Sequence, residues 1–144
     1  MTRNCNTVKN NKWNRPIFFV KQGFDDELKK WLSPYLVDEG LVYRLSPDTL
    51  SKSDINLIEK DITAFNLEGY NNNLIYLDDV SRGVGNLYYE SFLKLIDAKL
   101  QKNDLEAAKK YYSQMIYKLP ISWLNPDKVI LNEIEKIKSK IYVR

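Results

Sequence analysis

The sequence predicts a mostly helical α+β fold, in which a small parallel β-α-β unit packs on a helical hairpin and a C-terminal helix. Near the N-terminus, two short apolar segments rich in aromatic and β-branched residues flank an amphipathic stretch. Two helical patterns then follow one another across a short polar turn, and another apolar stripe lies near the C-terminus. The length of 144 residues suits one domain. We place that domain at residues 13–144, after a loose polar arm at residues 1–12.

The β-α-β unit is assigned to residues 13–50. RPIFFV, residues 15–20, predicts a strand with a proline at its entrance, where a missing amide is tolerated. LVYRL, residues 41–45, predicts the second strand, after a short helical turn at residues 34–37. Because a helical crossover joins parallel strands, we expect these two strands to lie parallel. The crossover helix is predicted by one apolar stripe, formed by Phe24, Leu28, Trp31 and Leu32.

The helical part is assigned to residues 51–144. A helix is predicted over residues 53–65, followed by a short extended segment at residues 74–79. The final helix is expected to use Asn125 as its N-cap and Pro126 as its first residue. Its apolar stripe consists of Ile130, Ile134, Ile137 and Ile141.

Between these segments, residues 87–120 predict a helical hairpin that turns at KND. The hairpin resembles one tetratricopeptide repeat, with Ile96 and Lys99 in place of the usual small and aromatic residues. Leu95, Ala108, Tyr112 and Pro120 match the spacing of that repeat. Because no second copy follows at this period, we expect a single repeat-like hairpin rather than an array.

Composition excludes several classes of function. The chain has no histidine, which removes histidine-based acid–base catalysis and histidine-ligated metal sites. Its only cysteine, Cys5, permits no internal disulfide. No apolar run approaches the ~20 residues of a membrane span. The 22 basic and 19 acidic residues are interleaved, which does not indicate a nucleic-acid surface. We therefore predict no catalytic residue, cofactor, metal or nucleic-acid partner.

Candidate sites remain among the charged and aromatic residues. The acidic clusters at residues 25–27, 38–39 and 78–79 adjoin predicted helix starts or turns, where carboxylates cap amides. RGVGN, residues 82–86, could hold an anion before a helix, but it lacks the third glycine and the preceding strand of a dinucleotide fingerprint, so we interpret it as a flexible lead-in. Trp123, between two prolines, is a candidate surface anchor.

Arg44 is the most unusual of these residues because it interrupts the apolar run of a predicted strand. An isolated buried charge is very costly, so Arg44 requires an anionic partner, for which Glu39 and Asp78 are the candidates. We expect the ion pair to tie the strand to the helical part. Ligand binding by Arg44 is the alternative.

Three segments, NKWNRPIFFV, YLVDEGLVYRL and IYLDD…R…N…F, occur in this order before the hairpin. Together they resemble the C-terminal soluble region of a bacterial membrane-protein family similar to protein O-mannosyltransferases, over about residues 11–120. The resemblance implies a parent protein whose membrane helices carry a glycosyltransferase-like activity. It assigns no chemistry to the shared positions, which are Arg15, Pro16, Glu39, Gly40, Tyr43, Arg44, Tyr76, Leu77, Asp78, Arg82 and Asn86.

The resemblance implies a non-catalytic accessory domain at the periplasmic face of the inner membrane, in contact with its own membrane part or another polypeptide. The alternative is a stand-alone tetratricopeptide-like interaction module in the cytoplasm, with an apolar groove beside Tyr111, Tyr112 and Trp123. A third possibility is a carbohydrate binder that uses exposed aromatic residues. The candidate interaction or structural residues are Arg44, Glu39, Asp78, Arg82, Asn86, Tyr112 and Trp123.

Overall fold

A computed structural model describes residues 12–47 and 53–142. The chain divides into two compact units, residues 1–54 and residues 55–144. The predicted arm at residues 1–12 lies almost wholly outside the described residues, as does Cys5. The single domain over residues 13–144 stays a prediction.

The N-terminal unit contains a three-stranded antiparallel sheet. Its elements are β1 (Ile17–Val20), α1 (Asp26–Leu32), a 3-10 turn (Ser33–Tyr35), β2 (Leu36–Asp38) and β3 (Val42–Leu45). The strand order is β1-β3-β2, so β3 is central and pairs antiparallel with both neighbours. In this register, Arg44 lies opposite Phe18 on one side and Val37 on the other.

The predicted parallel β-α-β unit is therefore wrong, although both of its strands exist. The helical turn expected at residues 34–37 exists as the 3-10 turn Ser33–Tyr35, but the residues directly after it form β2, which reverses into β3 through Gly40 at φ 92°. Glycine adopts this conformation without steric cost. Since β1 and β2 both run antiparallel to β3, they are parallel to each other, and β3 lies between them. The helical crossover therefore joins the parallel strands β1 and β2, and not β1 and β3 as expected.

Aromatic packing covers one face of this sheet. The rings of Phe19 and Phe24 stack with centroids 4.9 Å apart, and Phe24 lies 5.9 Å from Tyr43. Asp25 caps α1 by accepting the Leu28 N–H at 2.7 Å. The helix has only seven residues and buries none of them completely, so Trp31, which was expected on its core stripe, is 83% exposed.

The second unit is helical. It contains α2 (Ile55–Ala64), a 3-10 turn (Glu68–Asn71), α3 (Asp79–Gln101), α4 (Leu105–Lys118), α5 (Ile121–Leu124) and α6 (Lys128–Tyr142). The long helix α3 packs against α2, α4 and α6. The buried Tyr89 of α3 donates its hydroxyl to the Leu119 carbonyl, beyond the end of α4, at 2.6 Å. This contact shows that α3 and α4 form an antiparallel hairpin.

The predicted apolar stripes form the core of this unit, and the α+β, mostly helical class is confirmed. Ala108 is completely buried in α4, which permits close packing of helices. The stripe of α6 is also buried, as predicted. The other core residues of these helices include Ile58, Ile62, Phe92, Leu95, Ile96, Met115 and Leu119.

Two boundaries in this unit differ from the predictions. The segment expected to be extended contains turns, and α3 begins at Asp79, so RGVGN forms part of the helix rather than a flexible lead-in. Gly85 is buried there, and a Cβ atom at this position would lie 3.4 Å from Cε1 of Tyr70. Asn125, with φ 46°, is the C-cap of α5 and not the N-cap of α6. In the part of the chain that the structure describes, no helix is both long and apolar enough to cross a membrane.

Candidate functional site

Arg44 has the carboxylate partner that its position in an apolar strand requires. Its Nε donates to Oε1 of Glu39 at 2.5 Å. The Glu39 side chain is 6% exposed and that of Arg44 is 35% exposed. Glu39 was one of the two expected partners, but the ion pair is local, because it joins β3 to the turn that follows β2.

A second ion pair in the same unit was not foreseen. Nζ of Lys21 lies 2.6 Å from Oδ1 of Asp38, and both side chains are largely buried. The same ammonium group lies 4.8 Å from the centroid of the Tyr43 ring, within the range of a cation–π contact. Lys21 follows β1 and Asp38 ends β2, so only the strand order shows that they meet across β3.

Asp78 and Arg82 organise the start of α3. Asp78 is the N-cap residue, and its Oδ1 accepts the Ser81 N–H at 2.7 Å. This backbone hydrogen bond is the main reason why the pKa of the Asp78 carboxyl lies below its ordinary value. Nε of Arg82 donates to the Leu77 carbonyl at 3.3 Å. Both side chains therefore stabilise the turn into the helix.

Asn86 joins two helices that are distant in sequence. Its Nδ2 donates to Oδ2 of Asp127 at 2.9 Å, which connects α3 to the residue before α6. Nothing in the spacing of the sequence identified Asp127 as this partner.

The two aromatic candidates belong to the packing of the helical unit. Tyr112 is buried on α4, and its ring meets that of Tyr142 edge to face at 5.9 Å. Burial is the main cause of its raised pKa. Trp123 is partly buried and packs against the core, so it is not a free surface anchor. Its Nε1 is buried and finds no acceptor among residues 12–47 and 53–142.

A charged network joins three helices of this unit. Glu59 of α2 accepts the Tyr111 hydroxyl of α4 at 2.6 Å and Nζ of Lys99 of α3 at 2.8 Å. The hydrogen bond from Lys99 is the largest cause of the lowered pKa of Glu59, and that from Tyr111 is the next. Burial, followed by the bond to Glu59, raises the pKa of Tyr111 to about 12. Sequence reasoning missed this network because its members are 40 and 52 positions apart.

This network borders a shallow groove between α2 and α4. The residues that line the groove are Asn56, Glu59, Lys60, Thr63, Ala64 and Tyr111, and apolar atoms make up more of its exposed surface than polar atoms do. A groove with a largely apolar surface thus lies beside Tyr111, whereas Tyr112 and Trp123 are not among the residues that line it. Within the described ranges, no three or more histidine, cysteine, aspartate or glutamate side chains are grouped so that they could hold a metal ion.

Comparison with known proteins connects the first part of the chain to a family. The family model described as TMEM260-associated domain 2 matches residues 5–68. No curated protein and no solved structure matches the chain. The matched range includes all three strands, α1 and α2, and therefore extends from the sheet unit into the helical unit. The chain thus carries a segment similar to TMEM260-associated domain 2.

Proposed function

We propose that this chain is a non-catalytic accessory domain of a TMEM260-like protein and that it positions another polypeptide. The observation that carries the proposal is the match of residues 5–68 to a domain described as associated with TMEM260. The partner would be the membrane part of the same protein or a separate polypeptide.

The contacts of the candidate residues support a positioning role. Arg44 is paired with Glu39, Asp78 caps α3, and Asn86 binds Asp127. Each of these contacts fixes the geometry of a strand, a helix start or a helix pair. Such contacts suit a domain that presents a defined surface to a partner.

The TMEM260-like parent protein would itself have a membrane part. Its membrane part would resemble the bacterial protein O-mannosyltransferase-like glycosyltransferases, and sugar transfer would take place there. This chain would then lie at the periplasmic face of the inner membrane. A cytoplasmic position is the alternative if the chain acts alone.

Cell fractionation tests the accessory role. A tagged copy of the chain is expressed in source cells with and without the gene for the TMEM260-like membrane protein. We expect the chain in the membrane fraction only when that protein is present. Equal distribution in both strains would contradict the proposal. In a second arm, the purified chain receives a lipid-linked sugar and an acceptor peptide, and intrinsic transfer of the sugar would overturn the non-catalytic assignment.

A specific observation favours a second candidate, the tetratricopeptide-like interaction module. The α3–α4 hairpin turns through residues 102–104 and buries Ala108 completely. The groove beside Tyr111 would be the binding surface, and its largely apolar surface, bordered by Glu59 and Lys60, suits an amphipathic polypeptide segment. Affinity capture from cells that lack the TMEM260-like gene tests this candidate. The unsubstituted chain should capture a partner that the groove variant Thr63→Arg does not. Identical capture by both chains would show that the groove is not the binding surface.

A further inference from the structure

The two edges of the N-terminal sheet differ in how they are covered. On the β2 side, Ser53 forms a bridge with Asp38, and the Asp54 N–H donates to the Asp38 carbonyl at 2.9 Å. On the β1 side, none of the described residues beyond β3 pairs with the strand. An uncovered edge strand is a ready template for pairing with another chain.

The register shows which backbone groups of β1 are free. The Lys21 N–H donates to the Leu41 carbonyl at 3.2 Å, which continues the ladder between β1 and β3. In an antiparallel pair, alternate residues direct their N–H and C=O groups to the same neighbour. Phe19 therefore faces β3 as Lys21 does, whereas Phe18 and Val20 direct their N–H and C=O groups away from the sheet.

The same two residues carry exposed apolar side chains. Phe18 is 50% exposed and Val20 is 63% exposed. Because they are two positions apart in a strand, both side chains lie on one face of the sheet. The open edge thus combines unpaired backbone groups with an apolar surface.

The free backbone groups of β1 determine what kind of partner can pair with this edge. A row of N–H and C=O groups at strand spacing is complementary to the backbone of another extended polypeptide. The edge is also complementary to itself. If a two-fold axis passes beside Phe19, Phe18 of each copy lies opposite Val20 of the other, and the free N–H and C=O groups of each pair face one another. Each such pair also places an aromatic residue beside a β-branched one, which stabilises antiparallel strands.

We propose that two copies of this chain associate through β1 in this register and form a continuous six-stranded sheet. Pro16 lies on the same side of the strand as Phe18 and has no N–H, so the pairing cannot extend further in that direction. One four-residue strand from each copy provides far less than the roughly 1,200 Å² of buried surface typical of a stable interface. The dimer is therefore reversible and forms only at high protein concentration.

Sedimentation velocity over a wide concentration series tests the association. We expect the mass of the full chain to rise reversibly with concentration. Val20→Pro removes an N–H that only the partner uses, so this variant should remain monomeric while its circular dichroism spectrum is unchanged. The control Val129→Lys, at an exposed position on α6, should behave like the parent. A monomeric parent, or a Val20→Pro variant that associates like the parent, overturns the proposal.

Disulfide trapping tests the register and does not depend on Val20→Pro. In a Cys5→Ser background, copies with Phe18→Cys are mixed with copies with Val20→Cys and oxidised with copper phenanthroline. Residues opposite one another in a hydrogen-bonded antiparallel pair have Cα atoms about 5.5 Å apart, a separation that a disulfide spans. We expect the mixed dimer to form several-fold faster than either self-pair or a mixture with Val129→Cys. Equal rates for all combinations would overturn the register.

Discussion

Tyr111 donates its hydroxyl to Oε1 of Glu59 at 2.6 Å, across 52 positions of sequence. The other carboxylate oxygen of Glu59 accepts the ammonium group of Lys99 at 2.8 Å. One side chain of α2 thereby holds both helices of the α3–α4 hairpin. Because the network combines an acid and a phenol with shifted pKa values, its contribution to stability depends on pH at both ends of the scale.

At the acid end, Glu59→Gln should lower the stability of the protein at neutral pH. It should also make that stability depend less on pH in the acid range. The pKa of Glu59 is lower in the folded state than its ordinary value of 4.5, so its contribution is present above pH 4.5 and is lost as the pH falls through the folded value. We expect the difference in urea midpoint between parent and variant to narrow below pH 4.5. Glu106→Gln, at a side chain that is 87% exposed, is the control, and its urea midpoint should follow that of the parent at every pH. If the midpoint difference between parent and Glu59→Gln were equally independent of pH, the prediction would be contradicted.

At the alkaline end, Tyr111→Phe should remove a phenol that ionises at a higher pH than an ordinary tyrosine. The folded-state pKa of Tyr111 is about 12 against an ordinary 10.0, so its contribution is complete below pH 10.0 and is lost as the pH rises through about 12. Absorbance titration should show a phenolate transition near pH 12 in the parent that is absent from Tyr111→Phe. In Glu59→Gln, the same transition should move towards 10.0, because the accepting carboxylate and its charge are gone. A missing transition at 10.0 in Tyr111→Phe would argue against the network.

Arg44→Met should destabilise the chain because it leaves the buried Glu39 carboxylate without its partner. An unsatisfied buried group typically costs about 1–3 kcal/mol. We do not expect the larger penalty of a fully buried pair, since Arg44 is 35% exposed. The urea midpoint measures the loss.

The matched control for Arg44→Met is Lys138→Met, which breaks an exposed pair with Glu135 at 3.7 Å. Exposed pairs of this kind contribute roughly 0–1 kcal/mol, so its midpoint should scarcely change. If Arg44→Met were no more destabilising than this control, the ion pair with Glu39 would have no structural role.

Gly85 allows opposite predictions for a small and a large substitution. Alanine is favoured over glycine inside a helix by about 1 kcal/mol, and its Cβ atom at 3.4 Å from Tyr70 makes an ordinary contact. Gly85→Ala should therefore raise the thermal midpoint. Gly85→Leu should lower it, because the longer side chain must displace Tyr70 or Leu124. Two changes of the same sign would show that the surroundings of Gly85 do not decide the effect.

The helical unit was largely predictable because its information is local. Four isoleucines at helical spacing identified the buried face of α6, and Ala108, which matches the spacing of the repeat, is completely buried in the hairpin. Helix ends were less predictable. Asn125 can end one helix or begin the next, and only its left-handed φ of 46° shows that it ends α5.

The sheet was less predictable because strand order depends on contacts between distant residues. The three residues of β2 are too few to show an alternating pattern, and a proline-containing turn directly before them favoured a helical interpretation. The pairing of Arg44 with Glu39 could be expected from the cost of an unpaired charge. The meeting of Lys21 with Asp38 could not, since it requires the order β1-β3-β2.

The segment that matches the family model and the compact units of the structure end at different places, and α2 lies between those two boundaries. The segment similar to TMEM260-associated domain 2 ends at residue 68, whereas Ile58 and Ile62 of α2 are buried in the core of the helical unit that begins at Ile55. A fragment cut at residue 68 would carry this helix with its apolar face uncovered, and would tend to aggregate. Expression fragments of this chain should therefore be divided near Asp54, before α2, rather than where the family match ends.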